Sequence, residues 1–67
     1  MNEIERRVEG YLADRKGEFT ATKLSGILNM RKSKLVNVLL SLYRMRYVRL
    51  HFVNDEIYVM HAGWEKK

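Results

Sequence analysis

A chain of 67 residues is long enough for one domain only, and a domain of this size has a thin core. Hydrophobic residues make up 46% and charged residues 31%, a balance typical of a folded rather than a disordered chain. The absence of cysteine excludes disulfides and thiolate metal sites, and no apolar run reaches the roughly 20 residues of a membrane span. We therefore expect a cytoplasmic protein, and its few thermolabile side chains would suit a thermophilic source.

The net charge of +5 is concentrated in the middle of this basic protein. Residues 1–22 and 52–67 each have a small acidic excess. Residues 23–51 carry seven basic side chains and no acidic one. A solvated surface usually mixes both signs, so an acid-free segment of this length indicates a surface for a negatively charged partner.

The first two predicted elements are helices separated by a short extended segment. One apolar stripe predicts a helix over residues 2–15, followed by Gly17 as a stop signal. The stripe consists of Ile4, Val8, Tyr11 and Leu12. Phe19 lies in the extended segment, and Thr20 is a suitable N-cap for a second helix over residues 21–28.

A third helix is predicted over residues 32–45. It follows Asn29, a residue type that tolerates the left-handed conformation in which many helices end. Its inner apolar stripe consists of Leu35, Val38, Leu39, Leu42 and Met45. A second apolar stripe beside the first consists of Val36, Leu40 and Tyr43. So broad an apolar arc suits a helix that packs against more than one neighbour.

After residue 47 the apolar period changes from that of a helix to that of a strand. The segments YVRLHFV and EIYVM alternate, and Asn54-Asp55 between them is a hairpin turn signal. A two-residue loop pairs Val53 with Glu56 and Val48 with His61. One face of the hairpin is then apolar, with Val48, Leu50, Phe52, Ile57 and Val59, whereas the other carries Arg49, His51 and Tyr58. The pattern predicts an α+β fold in which a C-terminal β-hairpin lies on three helices.

The segment FTATKLSGILNMRKSKLVNVLLSLYRMRYV resembles the running pattern of the winged helix-turn-helix superfamily. The apolar positions that carry the resemblance are Leu24, Met30, Leu35, Leu39, Leu42, Tyr47 and Val48. The resemblance implies a single domain over residues 1–67, in which the hairpin is the wing. Three features depart from the pattern: Arg46 stands where glycine is common, Arg31 stands where a Ser or Thr cap is common, and the wing tip, Asn54-Asp55-Glu56, is acidic.

In that superfamily the third helix usually enters the major groove of double-stranded DNA. The resemblance therefore implies a small protein that binds double-stranded DNA, either a transcriptional regulator or a replication or chromatin accessory, and we expect it to be nucleoid-associated. The implied DNA-binding residues are Thr22, Lys23, Arg31, Lys32, Ser33, Lys34, Asn37, Ser41, Arg44 and Arg49. Helix N-termini offer N–H groups to phosphate, and arginine, lysine and asparagine pair with base edges. The chemistry of these residues therefore supports DNA binding independently of the resemblance. We expect Arg49 or the Lys66-Lys67 tail, rather than the acidic wing tip, to contact the DNA backbone.

The alternative function is a winged-helix protein–protein interaction module of a larger replication, transcription or chromatin assembly. The acidic wing tip and the stripe of Val36, Leu40 and Tyr43 favour such a protein partner, whereas the acid-free basic segment favours DNA. We also expect a weak homodimer through helix one and the tail around Trp64. A dimer would place two recognition helices about one DNA turn, ~34 Å, apart.

The residue pattern supports neither catalysis nor the binding of a cofactor or metal. The sequence has no glycine-rich phosphate loop and no pattern of Ser, His and Asp residues that would indicate a catalytic triad. His51 and His61 are ten residues apart, without a third ligand in a fixed pattern. We therefore predict that the protein is not an enzyme and has no cofactor or metal.

Overall fold

The three predicted helices and the predicted hairpin are present in the computed structural model, which describes residues 1–65. The helices are α1 (Glu3–Ala13), α2 (Ala21–Ile27) and α3 (Lys32–Arg44). The strands are β1 (Glu18–Thr20), β2 (Val48–Val53) and β3 (Glu56–His61), and a 3₁₀ turn over Ala62–Trp64 follows β3. Every predicted helix end agrees with the structure to within two residues. No helix among residues 1–65 is both long and apolar enough to cross a membrane.

The starts of α1 and α2 are capped by side chains, but the start of α3 is not. The side chain of Asn2 accepts a hydrogen bond from the Glu5 N–H at 2.8 Å, and the Glu5 carboxylate accepts one from the Asn2 N–H at 2.8 Å. The Thr20 hydroxyl accepts one from the Lys23 N–H at 3.1 Å. Arg31 occupies the corresponding position of α3 and makes no side-chain cap. The first N–H groups of α3 therefore have no capping side chain.

The C-terminal end of α3 is closed by a turn that normally favours glycine. The Tyr47 N–H donates to the Leu42 carbonyl at 2.9 Å, and the Arg46 N–H donates to the Tyr43 carbonyl at 3.0 Å. These two hydrogen bonds define a Schellman motif, in which Arg46 has a φ of 66°. A residue with a Cβ loses about 1–2 kcal/mol in this left-handed conformation. Asn29, as predicted, also has a positive φ, of 52°.

The sheet has three antiparallel strands in the order β1-β3-β2. The predicted hairpin register is confirmed, with Val53 opposite Glu56 and Val48 opposite His61. Asn54 and Asp55 both have positive φ, as a two-residue hairpin loop requires. The pairing of β1 with the other edge of β3 was not predicted, because three residues are too few to show an alternating pattern.

The core is formed by one apolar cluster between the helices and one face of the sheet, and no polar side chain among residues 1–65 is buried. Its buried members are Val8, Leu12, Ala21, Leu24, Leu28, Leu35, Leu39, Leu42, Val48 and Val59. Ile4 and Met45 were predicted to lie on stripes that face the core, but both are exposed; Phe52 lies on the predicted apolar face of the hairpin and is nevertheless exposed. Ile4 lies at the exposed first turn of α1, and Met45 caps α3 where the chain leaves the helix. Phe52 is 67% exposed, because it is close to the hairpin turn, at the end of the sheet's apolar face.

The end of β3 and the turn after it are attached to α1 by two side-chain hydrogen bonds. The Gly63 N–H donates to Nδ1 of His61 at 3.0 Å, so Nε2 is the nitrogen that donates to the Glu9 carboxylate, at 2.6 Å. Nε1 of Trp64 donates to the Ala13 carbonyl at 3.0 Å. The surface that we expected to form a homodimer is thus used in part within the protomer, and the homodimer stays a prediction.

A hydrogen bond between Ser41 and Glu5 joins α3 to α1. The Ser41 hydroxyl donates to the Glu5 carboxylate at 2.5 Å. This hydrogen bond, and to a smaller extent that from the Asn2 N–H, lowers the pKa of Glu5 below its usual value of 4.5. Since the pKa is lower in the folded than in the unfolded state, the contribution to stability is present above pH 4.5 and is lost as Glu5 becomes protonated at lower pH.

We expect Ser41→Ala to lower the free energy of unfolding at pH 7, and the difference from the wild type to shrink as the pH falls below 4.5. Urea unfolding at several pH values measures this difference. Ser25→Ala is the matched control, because the Ser25 hydroxyl donates to the Thr22 carbonyl and touches no carboxylate. A pH-independent effect of Ser41→Ala would contradict the assignment.

Candidate nucleic-acid interface

The surface of α3 opposite the core carries a straight row of side chains. Leu35, Leu39 and Leu42 are buried. From the 3.6-residue period, the side chains on the opposite face of the helix are Ser33, Asn37, Leu40 and Arg44. Ser33, Asn37 and Arg44 are exposed, and Leu40 is half-buried. We call these four residues the exposed row; it spans about 17 Å along the helix axis and contains no acid.

Three cations lie together where α3 begins. Arg31 and Lys34 share the lining of an open depression of about 350 Å³ with Arg7 of α1. Ile4, Leu28, Asn29 and Met30 complete this lining. We call Arg7, Arg31 and Lys34 the helix-start cluster. It lies beside the uncapped N–H groups of α3, so positive side chains and the positive end of the helix dipole coincide.

Thr22 and Lys32 are held by an acidic side chain of the hairpin. The Thr22 hydroxyl donates to the Glu56 carboxylate at 2.8 Å, and Nζ of Lys32 lies 3.7 Å from the same carboxylate. The Thr22 hydrogen bond is the main cause that lowers the pKa of Glu56, with a smaller contribution from Lys32. Lys32 and Lys34 are two residues apart and therefore point about 200° apart around the helix axis. The two lysines of the predicted site are therefore on different sides of α3: Lys34 faces α1 and Lys32 faces the hairpin.

Ser41, also predicted to face DNA, is half-buried and directs its hydroxyl to Glu5 of α1. Lys23 is exposed on the first turn of α2. The predicted contact of the Lys66-Lys67 tail lies outside the described residues. Among the described residues, Ser41, Thr22, Lys32 and Arg49 are thus the predicted site residues whose polar groups are engaged within the protein.

A second group of cations lies where α3 ends and β2 begins. Arg44, Arg46 and Arg49 line an open depression of about 460 Å³ together with Tyr43, which is 50% exposed. We call these four residues the arginine depression. Nε of Arg49 donates to both oxygens of the Glu65 carboxylate at 3.1 Å. Arg44 also belongs to the exposed row, so the row leads from the helix-start cluster to the arginine depression.

Sequence analysis did not identify Arg7 and Arg46 as site residues. Arg7 lies in the acidic-excess part of the chain, and its pattern on α1 is that of any solvated helix face. The sequence did contain a sign that could have pointed to Arg46, because it stands at a helix end where glycine is common. A side chain at such a position has a conformational cost. Within residues 1–65, no three His, Asp or Glu side chains are grouped so that they could hold a metal ion.

No protein-family model, no curated protein and no solved structure matches the chain significantly. The fold class is therefore described as α+β, with three helices and a three-stranded antiparallel sheet.

Proposed function

We propose that the chain is a small double-stranded-DNA-binding protein of the winged helix-turn-helix type, a transcriptional regulator whose α3 is the recognition helix. The observation that carries the proposal is the exposed row, which is free of acids and has a group of cations at each end. Ser33 and Asn37 would lie nearest the base edges, and the asparagine amide pairs with adenine through two hydrogen bonds.

The dimensions of the row fit a duplex. The major groove of B-DNA is about 12 Å wide and accepts one α-helix. Because the exposed row is about 17 Å long, its two ends reach the backbones on either side of the groove. The helix-start cluster supplies cations and uncapped N–H groups for one backbone, and these groups are the usual partners of phosphate. We propose that Lys23, which is exposed on the first turn of α2, also contacts a backbone phosphate.

Fewer residues near the hairpin are proposed to contact DNA than the sequence predicted. Glu56 engages the Thr22 hydroxyl and Lys32, and Asp55 remains exposed in the turn. We therefore place the hairpin tip outside the groove and omit Thr22 and Lys32 from the contacts. Ser41 is omitted because its hydroxyl donates to Glu5 of α1. Arg7 is added to them because it shares the helix-start depression with Arg31 and Lys34.

A protein–protein interaction module is the second candidate. Phe52 and Val53 are both exposed at the end of the hairpin, next to the acidic turn. A contiguous patch of exposed apolar side chains is a common contact surface for another protein. Such a partner would be recognised by the hairpin tip and would leave the exposed row of α3 without a role.

The proposal is tested by separating base recognition from backbone binding. Asn37→Ala is expected to reduce the discrimination between a selected target duplex and random duplex DNA by about 1–3 kcal/mol, if the amide makes a bidentate base contact. The target duplex is obtained by selection from a random-sequence pool with the wild-type protein. Fluorescence anisotropy at one fixed salt concentration measures both affinities.

Lys23→Ala is the matched control, because Lys23 is exposed on α2 and would contact phosphate only. It is expected to weaken binding to both duplexes by the same factor. Equal losses on both duplexes for Asn37→Ala as well would show that α3 does not recognise bases. A selection that returns no bound DNA would remove the proposal and favour the protein partner at the hairpin tip.

A further inference from the structure

The arginine depression holds more positive charge than the neighbouring carboxylate can neutralise. Three guanidinium groups share one depression, and Glu65 is the carboxylate that faces them among residues 1–65. Neither Arg44 nor Arg46 has an ion-pair partner within that part of the chain. Like charges held together raise the energy of the unliganded protein, and a bound anion would reverse this effect.

The backbone at Arg46 gives a second, independent reason to assign a role to this group. Arg46 has a φ of 66° in the Schellman turn, where glycine is free of the strain that a Cβ causes. Its backbone hydrogen bonds use only the peptide group, so glycine would make them equally well. The fold therefore does not need an arginine here, and its side chain is exposed beside Arg44 and Arg49.

The donor set matches a phosphate group. Guanidinium groups bind phosphate oxygens through pairs of parallel N–H donors, better than any other side chain. Arg49 uses only Nε for Glu65, which leaves its two terminal nitrogens without a hydrogen-bond partner among residues 1–65. The exposed Tyr43 ring adds a phenol hydroxyl and an aromatic face to the same depression.

We propose that the arginine depression is a phosphate-binding site, which in the complex with DNA holds a backbone phosphate across the groove from the helix-start cluster. The inference rests on the proposed function for the source of the phosphate, since a free phosphorylated molecule offers the same chemistry. The site fixes the C-terminal end of α3 to the duplex. It contributes affinity and a defined orientation of the helix, but no base recognition.

The test uses Arg46→Gly, a substitution that removes the guanidinium while relieving the strained backbone. Its unfolding temperature is expected to be no lower than that of the wild type. The slope of log K against log salt for random duplex DNA is expected to be shallower by about 0.9, the loss of one phosphate contact. If the wild-type and variant lines meet at 1 M salt, this is about an eightfold loss of affinity at 0.1 M.

Two further variants distinguish the loss of this phosphate site from the general effect of removing one positive charge. Arg6→Ala removes one exposed cation of α1 that lines neither depression, and its slope is expected to stay close to that of the wild type. Arg46→Lys keeps the charge and is expected to recover most of the slope. A parallel titration with inorganic pyrophosphate, followed by the NMR signals of the arginine Nε–H groups, is expected to shift those of Arg44, Arg46 and Arg49.

The outcomes distinguish this site from the proposed function. A shallower slope for Arg46→Gly, but not for Arg6→Ala, supports a backbone phosphate in the depression. Pyrophosphate binding that Arg46→Gly abolishes, in a protein that binds no duplex, removes DNA as the partner and supports a free phosphorylated molecule. Duplex binding with equal slopes in both variants, together with unshifted arginine signals, overturns the site while DNA binding stands. A protein that binds neither probe overturns both.

Discussion

Between 50 and 200 mM salt, the affinity of the protein for random duplex DNA is expected to fall by about 250- to 4,000-fold, because log K should decrease with log salt at a slope of about −4 to −6. Each lysine or arginine that neutralises a phosphate contributes about −0.9 to this slope through counterion release. The helix-start cluster, the arginine depression and Lys23 together supply enough cations for five or six such contacts. Fluorescence anisotropy with a labelled duplex measures the slope.

The matched pair of variants for this experiment keeps the total charge equal. Arg31→Ala/Lys34→Ala removes two cations of the helix-start cluster and is expected to reduce the slope by about 1.8. Arg6→Ala/Lys16→Ala removes two exposed cations on and after α1 and is expected to leave it nearly unchanged. A flat salt response of the wild type, or no binding at 50 mM salt, would remove the DNA proposal.

Leu39→Ala is expected to destabilise the protein by about 3–5 kcal/mol, since Leu39 is 1% exposed and its truncation leaves a cavity in the core. A domain of this size has a total stability of about 3–10 kcal/mol, so this variant would lose much of its folded population. Leu40→Ala on the neighbouring position is the control. Leu40 is half-buried, and its truncation is expected to cost about 1 kcal/mol.

Urea unfolding followed by circular dichroism measures both free energies. The large difference between two adjacent leucines tests which face of α3 packs on the core, and therefore which face is offered to a partner. Similar losses for Leu39→Ala and Leu40→Ala would mean that the helix is rotated, and that Ser33 and Asn37 are not on its outer face.

The helices and the hairpin could be predicted from the sequence because their signals are local. Asn2 and Thr20 cap helices within three residues of themselves, and the alternation on both sides of Asn54-Asp55 determines the hairpin register. These signals depend on φ and ψ preferences and on the side-chain period, which neighbouring residues determine. The α+β class followed from them without any knowledge of long-range contacts.

The composition of the site could be predicted only in part, because its members are brought together by tertiary packing. The hydrogen bond of Thr22 to Glu56 spans 34 residues, and that of Ser41 to Glu5 spans 36 residues. No local pattern indicates that these two predicted DNA-binding hydroxyls are used by carboxylates of distant elements. Arg7 enters the site for the same reason, since only the packing of α1 against the α2–α3 turn places it beside Arg31 and Lys34.

The position of β3 in the middle of the sheet has a consequence for synthesis. Thr20 pairs with Tyr58, 38 residues later, and both edge strands depend on β3 for their partners. A ribosome makes all three helices and both edge strands before it makes residues 56–61. Until then the apolar faces of α1 and α3 lack Val59 and the sheet that covers them, and such surfaces are what chaperones bind. The native pairing of both edge strands can therefore begin only after β3 has been made.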